Sequence, residues 1–420
     1  MTPTLRCQIG ASRIFLEGET TRTAGSALSY PVRSVSRLVI HNAVLLDPES
    51  AAPAPGALLI EGGRIRTRLP AGSPMPEDAL AHDAAGKRVA PGFLDVHYHG
   101  SFVFSSDDAY RDALAQAASS VRHGTTGYLA TTVAWSAEEL PERVEALAAA
   151  LDASSDGGAR PLGLHLEGPW IAAEAAGAQP SKGIHPPGPG EIEAVLGRAA
   201  GLVRMVTLAP EVPGAHDLQT RLLQRDVVVA LGHSRARADE VEEAIGRGAR
   251  HVTHLFNAMG PLHHRDPGLA GMALADPRLT ADLICDGVHL HPQVVRFAAR
   301  ALGERLLLIT DRVTPPPPPH PRASFGSGVL TDDGVALRTP DGRLAGSCLT
   351  LDRAIQNANA FAELTLLEAV RAATLGPARL LGVEAERGTL RPGARADLAI
   401  LGDRGEVVET WIGGRRVYPV

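Results

Sequence analysis

From Arg37 onward, short runs of apolar and β-branched residues are broken by turn residues. RLVIHNAVLLD is followed, after a Pro/Ala-rich stretch, by GALLIEGGRIRTRL, whose Gly62-Gly63 pair predicts a turn between two strands. The far end repeats the pattern in ADLAILGDRGEVVETWIGGRRVYPV. Residues 36–90 and 385–420 are therefore expected to pair into one small β domain, a β-sandwich built from both chain ends. Between them, over residues 91–384, the pattern changes. Eight apolar runs, VAPGFLDVH, TTGYLATT, LGLHLEG, VRMVTLAPE, DVVVALGHS, RHVTHLFNA, LTADLICDG and RLLLITD, alternate with Ala-rich helical stretches. A strand that is apolar without alternation is covered on both faces, which means a parallel sheet under helices. Eight such units over roughly 290 residues predict an α/β fold, a (β/α)8 TIM-like barrel with its functional groups at the carboxyl ends of the strands. An open doubly wound sheet is the competing arrangement, but its G-x-G-x-x-G fingerprint is absent after the first run.

Residues 1–35, rich in Ser, Thr and Arg, hold no apolar run of membrane length and no basic start leading into an apolar core. They are expected to be an N-terminal extension, either disordered or upstream of the true start. At 44% apolar and 21% charged the chain is of globular type, and a net charge of −6 offers no basic field for nucleic acid. No membrane partner is expected. Three scattered cysteines, Cys7, Cys285 and Cys348, exclude a disulfide framework and point to a cytoplasmic protein. Histidine is where composition turns toward chemistry: the chain has 16, and imidazole is the commonest metal ligand.

Several of the eight runs end in ligand-type residues rather than in apolar or turn residues. The first ends in His97-Tyr98-His99, and alternation along a strand puts His97 and His99 on one side, able to share a cation. The third ends in His165-Leu166-Glu167, the fifth in Gly232-His233-Ser234, the sixth in Thr253-His254 and the eighth in Thr310-Asp311. In a barrel these ends converge on one rim. Imidazoles with a carboxylate suit a zinc- or iron-like divalent ion, whereas calcium prefers oxygen shells.

This set resembles the amidohydrolase superfamily, and the stretches around each ligand resemble its N-acetylglucosamine-6-phosphate deacetylase family. They are PGFLDVHYHG, HGTTGYLATT, HLEGPW, KGIH, TLAPE, GHSRA, THLFNAM, RDPGLAGM, DGVHL and LAGSCLT, in this order from Pro91 to Thr350. The resemblance runs from about Val39 to Val420; the terminal GTLRPGARADLAIL is shared more widely in the superfamily. It implies hydrolysis of the N-acetyl amide of a small phosphorylated amino sugar by a metal-dependent enzyme. Glu167, His233 and His254 would hold one divalent ion; His97 and His99 would hold a second, with Glu167 as a bridge. Zinc or iron is the expected metal, one or two ions per subunit. Asp311 would take a proton from the attacking water and return it to the leaving amine, and His185 of KGIH would help to polarise the scissile carbonyl. Arg265 and His289 would bind the phosphate, with Arg265 near the interface of a homodimer. Ile184, His185, Asn257, Ala258, Leu344, Ala345 and Gly346 would line the sugar and acyl group.

The chain departs from the family after Asp311, where small residues are usual. Here Arg312-Val313-Thr314 leads into five prolines, Pro315 to Pro319, and the loop after His99 reads SFVFSSDD without the usual glycines. Arg312 could lower the pKa of Asp311, contact an anion, or simply face solvent. The fourth run contains no lysine, which excludes a carboxylated-lysine site there. Two other readings stay open: a related amidohydrolase acting on a different N-acyl amino sugar or a cyclic amide, and a non-catalytic barrel protein.

Overall fold

The computed structural model describes residues 37–101, 114–115, 117–152, 158–314, 324–325, 328–332 and 336–419. The N-terminal extension, the stretch 102–113 and Pro315–Pro319 lie outside these residues.

Each of the eight apolar runs forms a strand: β1 (Phe93–Gly100), β2 (Thr125–Thr131), β3 (Arg160–Glu167), β4 (Val203–Leu208), β5 (Val228–Leu231), β6 (His251–Val252), β7 (Thr280–Ile284) and β8 (Leu306–Ile309). They hydrogen-bond in sequence order, all in parallel. A ninth strand, β9 (Arg312–Val313), follows β8 after only Thr310 and Asp311 and pairs in parallel with β1. The two ends of the sheet are thus one continuous piece of chain, and the sheet curls round on itself, as in a TIM barrel. All eight residues of β1 are buried, which is why the run reads as apolar without alternation.

Helices cover the outside of this sheet. In α1 (Leu140–Asp152) the buried residues Leu140, Val144, Leu147 and Leu151 recur at three- and four-residue steps, forming a single stripe. Leu140, Val144 and Leu147 are completely buried. Each contributes about 1.5–3 kcal/mol of burial, the main term holding this helix to the sheet. No described helix is long and apolar enough to cross a membrane.

Both chain ends enter a second sheet of eight strands, in which Leu398–Leu401 pairs antiparallel with Arg88–Pro91, and Arg88–Pro91 pairs in parallel with Arg37–Leu45. This sheet encloses a separate core that includes Ile40, Leu58, Ile65, Leu398 and Trp411. Its edge strand Arg64–Pro70 curls back far enough for Arg64 to bridge Arg395.

Candidate metal centre

The carboxyl ends of β1, β3, β5, β6 and β8 bring two groups of three donors together: His97, His99 and Asp311, and Glu167, His233 and His254. All six are buried. Alternation puts His97 and His99 on the inner side of β1, their Nε2 atoms 3.2 Å apart. His233 and His254 face each other with Nε2 atoms 3.1 Å apart. Tetrahedral coordination with metal–nitrogen bonds of about 2.0–2.1 Å places ligand atoms about 3.3 Å apart, so both pairs have the spacing of a shared ion.

Glu167 stands between the two groups. Its Oε1 lies 3.1 Å from His233 Nε2, 2.9 Å from His254 Nε2 and 3.4 Å from His97 Nε2, and its Oε2 lies 3.2 Å from His99 Nε2. Asp311 Oδ1 lies 3.1 Å from His99 Nε2 and 3.4 Å from His97 Nε2. The Nδ1 atom of His99 faces the Thr131 carbonyl at 3.2 Å, and that of His233 faces the Ala175 carbonyl at 2.8 Å. With Nδ1–H donating to those carbonyls, the lone pair stays on Nε2, pointing into the group. The donor set therefore fits a divalent cation, and Glu167 faces imidazoles of both groups.

The electrostatics agree. Burial alone would depress His99, but its bonds to Asp311 and Glu167 outweigh that and push it up to about 10. His254 is likewise pushed up to about 9, burial being outweighed by Glu167. Burial acts to raise Glu167 and Asp311, yet the surrounding imidazoles hold both below the ordinary carboxylate range. Ionised carboxylates among these rings would equally favour a divalent ion.

Buried acids one layer beneath hold the ligand-bearing backbone. Asp282 on β7 and His251 on β6 are fully buried; Asp282 Oδ2 lies 2.9 Å from His251 Nε2, while its Oδ1 accepts the backbone N–H of His254. Asp95 on β1 accepts from the Thr310 hydroxyl at 2.6 Å and from the Thr310 backbone N–H at 3.3 Å, and burial pushes it up to about 6. Ser347 N donates to the Asp311 carbonyl at 2.7 Å, and Ser347 Oγ donates to the Thr310 carbonyl at 2.5 Å. His165, although it shares the inner side of β3 with Glu167, is a supporting residue: its Nε2 meets Thr207 Oγ1 at 2.7 Å, and burial holds its pKa well below the usual imidazole value.

The other expected site residues fall in several places. Asn257 packs against its own turn, Nδ2 donating to the carbonyls of His254 at 3.2 Å and Leu255 at 3.3 Å, and the Ala258 carbonyl accepts from Ser234 N. His289 is anchored through Nδ1 by Asp286 at 2.7 Å, whereas Arg265 is exposed and bonds the adjacent His264. Ala345 is buried, and Leu344 and Gly346 are half-buried. A Cβ on Gly346 would lie 2.8 Å from the Asp311 carbonyl oxygen, so this glycine lets its segment pack against the turn that carries Asp311. Ile184 and His185 are half-buried, and both ring nitrogens of His185 are engaged, Nδ1 with the Gly183 carbonyl at 2.6 Å and Nε2 with Glu191 at 2.8 Å. Arg312 is half-buried, and its guanidinium reaches back to the carbonyls of Cys348 at 2.7 Å and Leu349 at 3.2 Å. One polar group at the centre has no signal in the sequence. Gln179 donates from Nε2 to Glu167 Oε2 at 2.5 Å.

Comparison with known proteins adds identity to this geometry. The Amidohydrolase family model matches residues 88–417. The N-acetylglucosamine-6-phosphate deacetylase of Danio rerio is 36% identical, over 80% of this chain and 86% of that protein. The N-acetylgalactosamine-6-phosphate deacetylase of Escherichia coli O157:H7 is 33% identical, over 81% of this chain and 90% of that one. Among solved structures, a mutant N-acetyl-D-glucosamine-6-phosphate deacetylase from Mycobacterium smegmatis, in complex with N-acetyl-D-glucosamine-6-phosphate, superposes with a TM-score of 0.81 at 34% identity, covering 91% of this chain and 99% of that one. The chain belongs to the amidohydrolase family, in its N-acetylglucosamine-6-phosphate deacetylase branch.

Proposed function

We propose that the chain hydrolyses the N-acetyl amide of N-acetylglucosamine 6-phosphate, releasing acetate and glucosamine 6-phosphate. The observation that carries this reading is the buried Asp311 carboxylate within 3.1 Å of His99, facing the Glu167 group across one strand rim. Glu167, His233 and His254 would hold one divalent ion, and His97 and His99 beside Glu167 would hold a second; zinc or iron would suit these donors. When bound, such an ion supplies Lewis-acid polarisation and lowers the pKa of a coordinated water. Asp311 accepts the proton of the attacking water and passes it to the departing nitrogen, which leaves as the amine. Its depressed pKa keeps it ionised and ready to accept near neutral pH. His289 and Arg265 bind the phosphate, the guanidinium offering a bidentate match. Ile184, Asn257, Ala258 and Leu344 to Gly346 form the walls around the sugar.

Arg265 stands exposed at the rim, which fits a homodimer in which it meets substrate near the subunit interface. A cytoplasmic setting accords with the buried, unbridged thiol of Cys285. Residues 91–384 are read as a (β/α)8 barrel and 36–90 with 385–420 as a β-sandwich. Support comes from the pairing of β9 with β1 and from the separate core enclosed by the terminal sheet.

The test is a metal analysis combined with a screen of N-acyl amino sugars, each with and without the 6-phosphate. A metal-loaded enzyme that leaves N-acetylglucosamine 6-phosphate intact refutes the reading. The likeness to the Escherichia coli galactosamine enzyme makes the C4 epimer the second substrate to compare, since Asp311 and the donor groups would serve either sugar.

A further inference from the structure

The turn that carries Asp311 is zipped to residues 344–349. Around Asp311 the bonds come from Ser347 and the backbone. Ser347 N and Oγ hold the Asp311 and Thr310 carbonyls, and Val313 N donates to the Ser347 carbonyl at 3.1 Å. Past Ser347 the zipper is continued by a side chain. Arg312 Nη1 donates to the carbonyls of Cys348 at 2.7 Å and Leu349 at 3.2 Å, and its Nε donates to Thr314 Oγ1 at 3.3 Å. Tyr98, the cross-strand partner of Arg312 on β1, is buried, and its hydroxyl bonds that of Thr314. The guanidinium therefore joins residues 348–349 to the seam where the curled sheet closes.

These residues need a clamp because packed core does not back them. Where the chain runs on as Leu349, Thr350 and Leu351 it borders a cavity of about 100 Å³, whose other walls include Asp95, His123 and Arg312 itself. Close-packed interior resists displacement, whereas a wall beside open space can recede into it. Toward the Asp311 turn there is no slack: Ala345 is completely buried, and a Cβ on Gly346 would lie 2.5 Å from Val313 Cγ2. The cavity is the side to which the segment can give way, and Arg312 stands on that side.

We propose that Arg312 is a positioning residue that fixes residues 344–346 against the Asp311 turn and thereby restricts the enzyme to short N-acyl groups, acetyl above all. This rests on the deacetylase reading, in which residues 344–346 line the acyl group. Arg312 touches no substrate; it acts through the carbonyls that it holds. A planar guanidinium fixes direction as well as distance, which an ammonium on a flexible stem does not. Against a wall held in this way, each added methylene of the acyl group costs about 10–200-fold in kcat/KM. With the carbonyls of residues 348 and 349 unheld, the segment moves toward the cavity and the longer chain is accepted.

The experiment compares the metal-loaded parent with Arg312→Met, which keeps the stem and loses the donors, and with Arg312→Lys. The substrates are N-acetyl-, N-propionyl- and N-butyrylglucosamine 6-phosphate. The readout is the ratio of kcat/KM values within one preparation, which a loss of stability or of active enzyme does not move. The parent is expected to prefer acetyl to butyryl by at least about tenfold. Arg312→Met should shrink that preference by about tenfold, and Arg312→Lys by about threefold to tenfold. Amide exchange at residues 344–349 should quicken in the same order, a readout that does not require turnover. A folded Arg312→Met whose ratio changes less than about threefold refutes the assignment, however far its stability falls. If Arg312→Met does not fold, Arg312→Lys is judged by the same threshold. An active parent that accepts butyryl as readily as acetyl refutes it too, and leaves the deacetylase reading standing. A parent inert on every N-acyl amino sugar removes that reading and this proposal with it.

Discussion

The Asp282–His251 pair offers a quantitative test of how the centre is held. Asp282→Ala removes the acceptor of the His254 backbone N–H and the partner of His251 Nε2, at a position with no access to water. Each buried group left unpaired costs about 1–3 kcal/mol, so the two together cost about 2–6 kcal/mol. Asp282→Asn keeps an oxygen for His254 N–H and offers an N–H to His251, so its cost should stay near the lower bound. With about 2.1 cal/mol/K of unfolding entropy per residue, 420 residues give about 0.9 kcal/mol/K. The midpoint should then fall by about 2–7 °C for Asp282→Ala and by less for Asp282→Asn. Calorimetry on metal-free protein measures this, and competition with a chromophoric chelator measures metal affinity in parallel. Because Asp282 touches the backbone of a proposed ligand, affinity should fall in the same order, parent above Asn above Ala. Two variants of equal stability and equal affinity would show that the buried pair does not position His254.

Asp311→Asn should lower kcat by about 10²–10⁴-fold, the usual contribution of a positioned proton-transfer group, while the ion at Glu167, His233 and His254 is retained by metal analysis. Removing His289, fixed in place by Asp286, should raise KM for phosphorylated substrate by about 10- to 150-fold, the range for a charge-assisted bond of about 1.5–3 kcal/mol. The unphosphorylated sugar should respond to neither His289→Ala nor Arg265→Ala, and exposed Arg265 should show the smaller effect on the phosphorylated one. Away from the centre, burial acts to raise Asp352, but its bond to His123 at 3.2 Å and its other contacts leave it below the ordinary aspartate value. A depressed carboxylate stabilises the fold above its unfolded pKa of about 3.9 and loses that contribution as pH falls through the folded value. Urea midpoints taken from about pH 6 to about pH 3 should therefore fall less steeply in His123→Ala than in the parent.

Much of this was legible because strand period and ligand chemistry fall on the same residues. The eight apolar runs mark eight strands, and Glu167, His233, His254, His97 and His99, together with Asp311, make up the two donor groups. The runs had no means of separating ligands from supports: His165 and Glu167 share one side of β3, yet only the carboxylate reaches the groups, because Thr207 holds the imidazole one layer below. Gln179 was invisible for a different reason. It lies 12 residues beyond Glu167 in a loop of Ala and Gly, and its role depends on Ala134 fixing one end of its amide. Arg312 shows the reverse error, a charge beside a key residue in sequence that turns its guanidinium toward the carbonyls of residues 348 and 349.

A common backbone rule underlies the rim. His233, His254 and Asp311 each stand two residues past the last residue of a strand, β5, β6 and β8, and each has positive φ: 47°, 33° and 48°. For residues other than glycine such conformations cost about 1–3 kcal/mol apiece and persist only where the surroundings enforce them. Here the enforcing groups are visible: Asp282 catches His254 N–H, the His97 carbonyl accepts Asp311 N–H at 3.0 Å, and the His233 carbonyl accepts Ala172 N–H at 2.9 Å. Beneath Asp311, Asp95 and Ser347 fix the preceding Thr310 from both sides. A strand continued in β conformation would send alternate side chains to the other face of the curled sheet. The left-handed step instead ends the pleat and directs the imidazole or carboxylate toward the two donor groups. Residues better suited to this backbone, glycine above all, would relieve the strain and remove the donor. The strain therefore belongs to the centre itself, and it explains why buried hydrogen bonds with no contact to substrate gather directly below the residues proposed to do the chemistry.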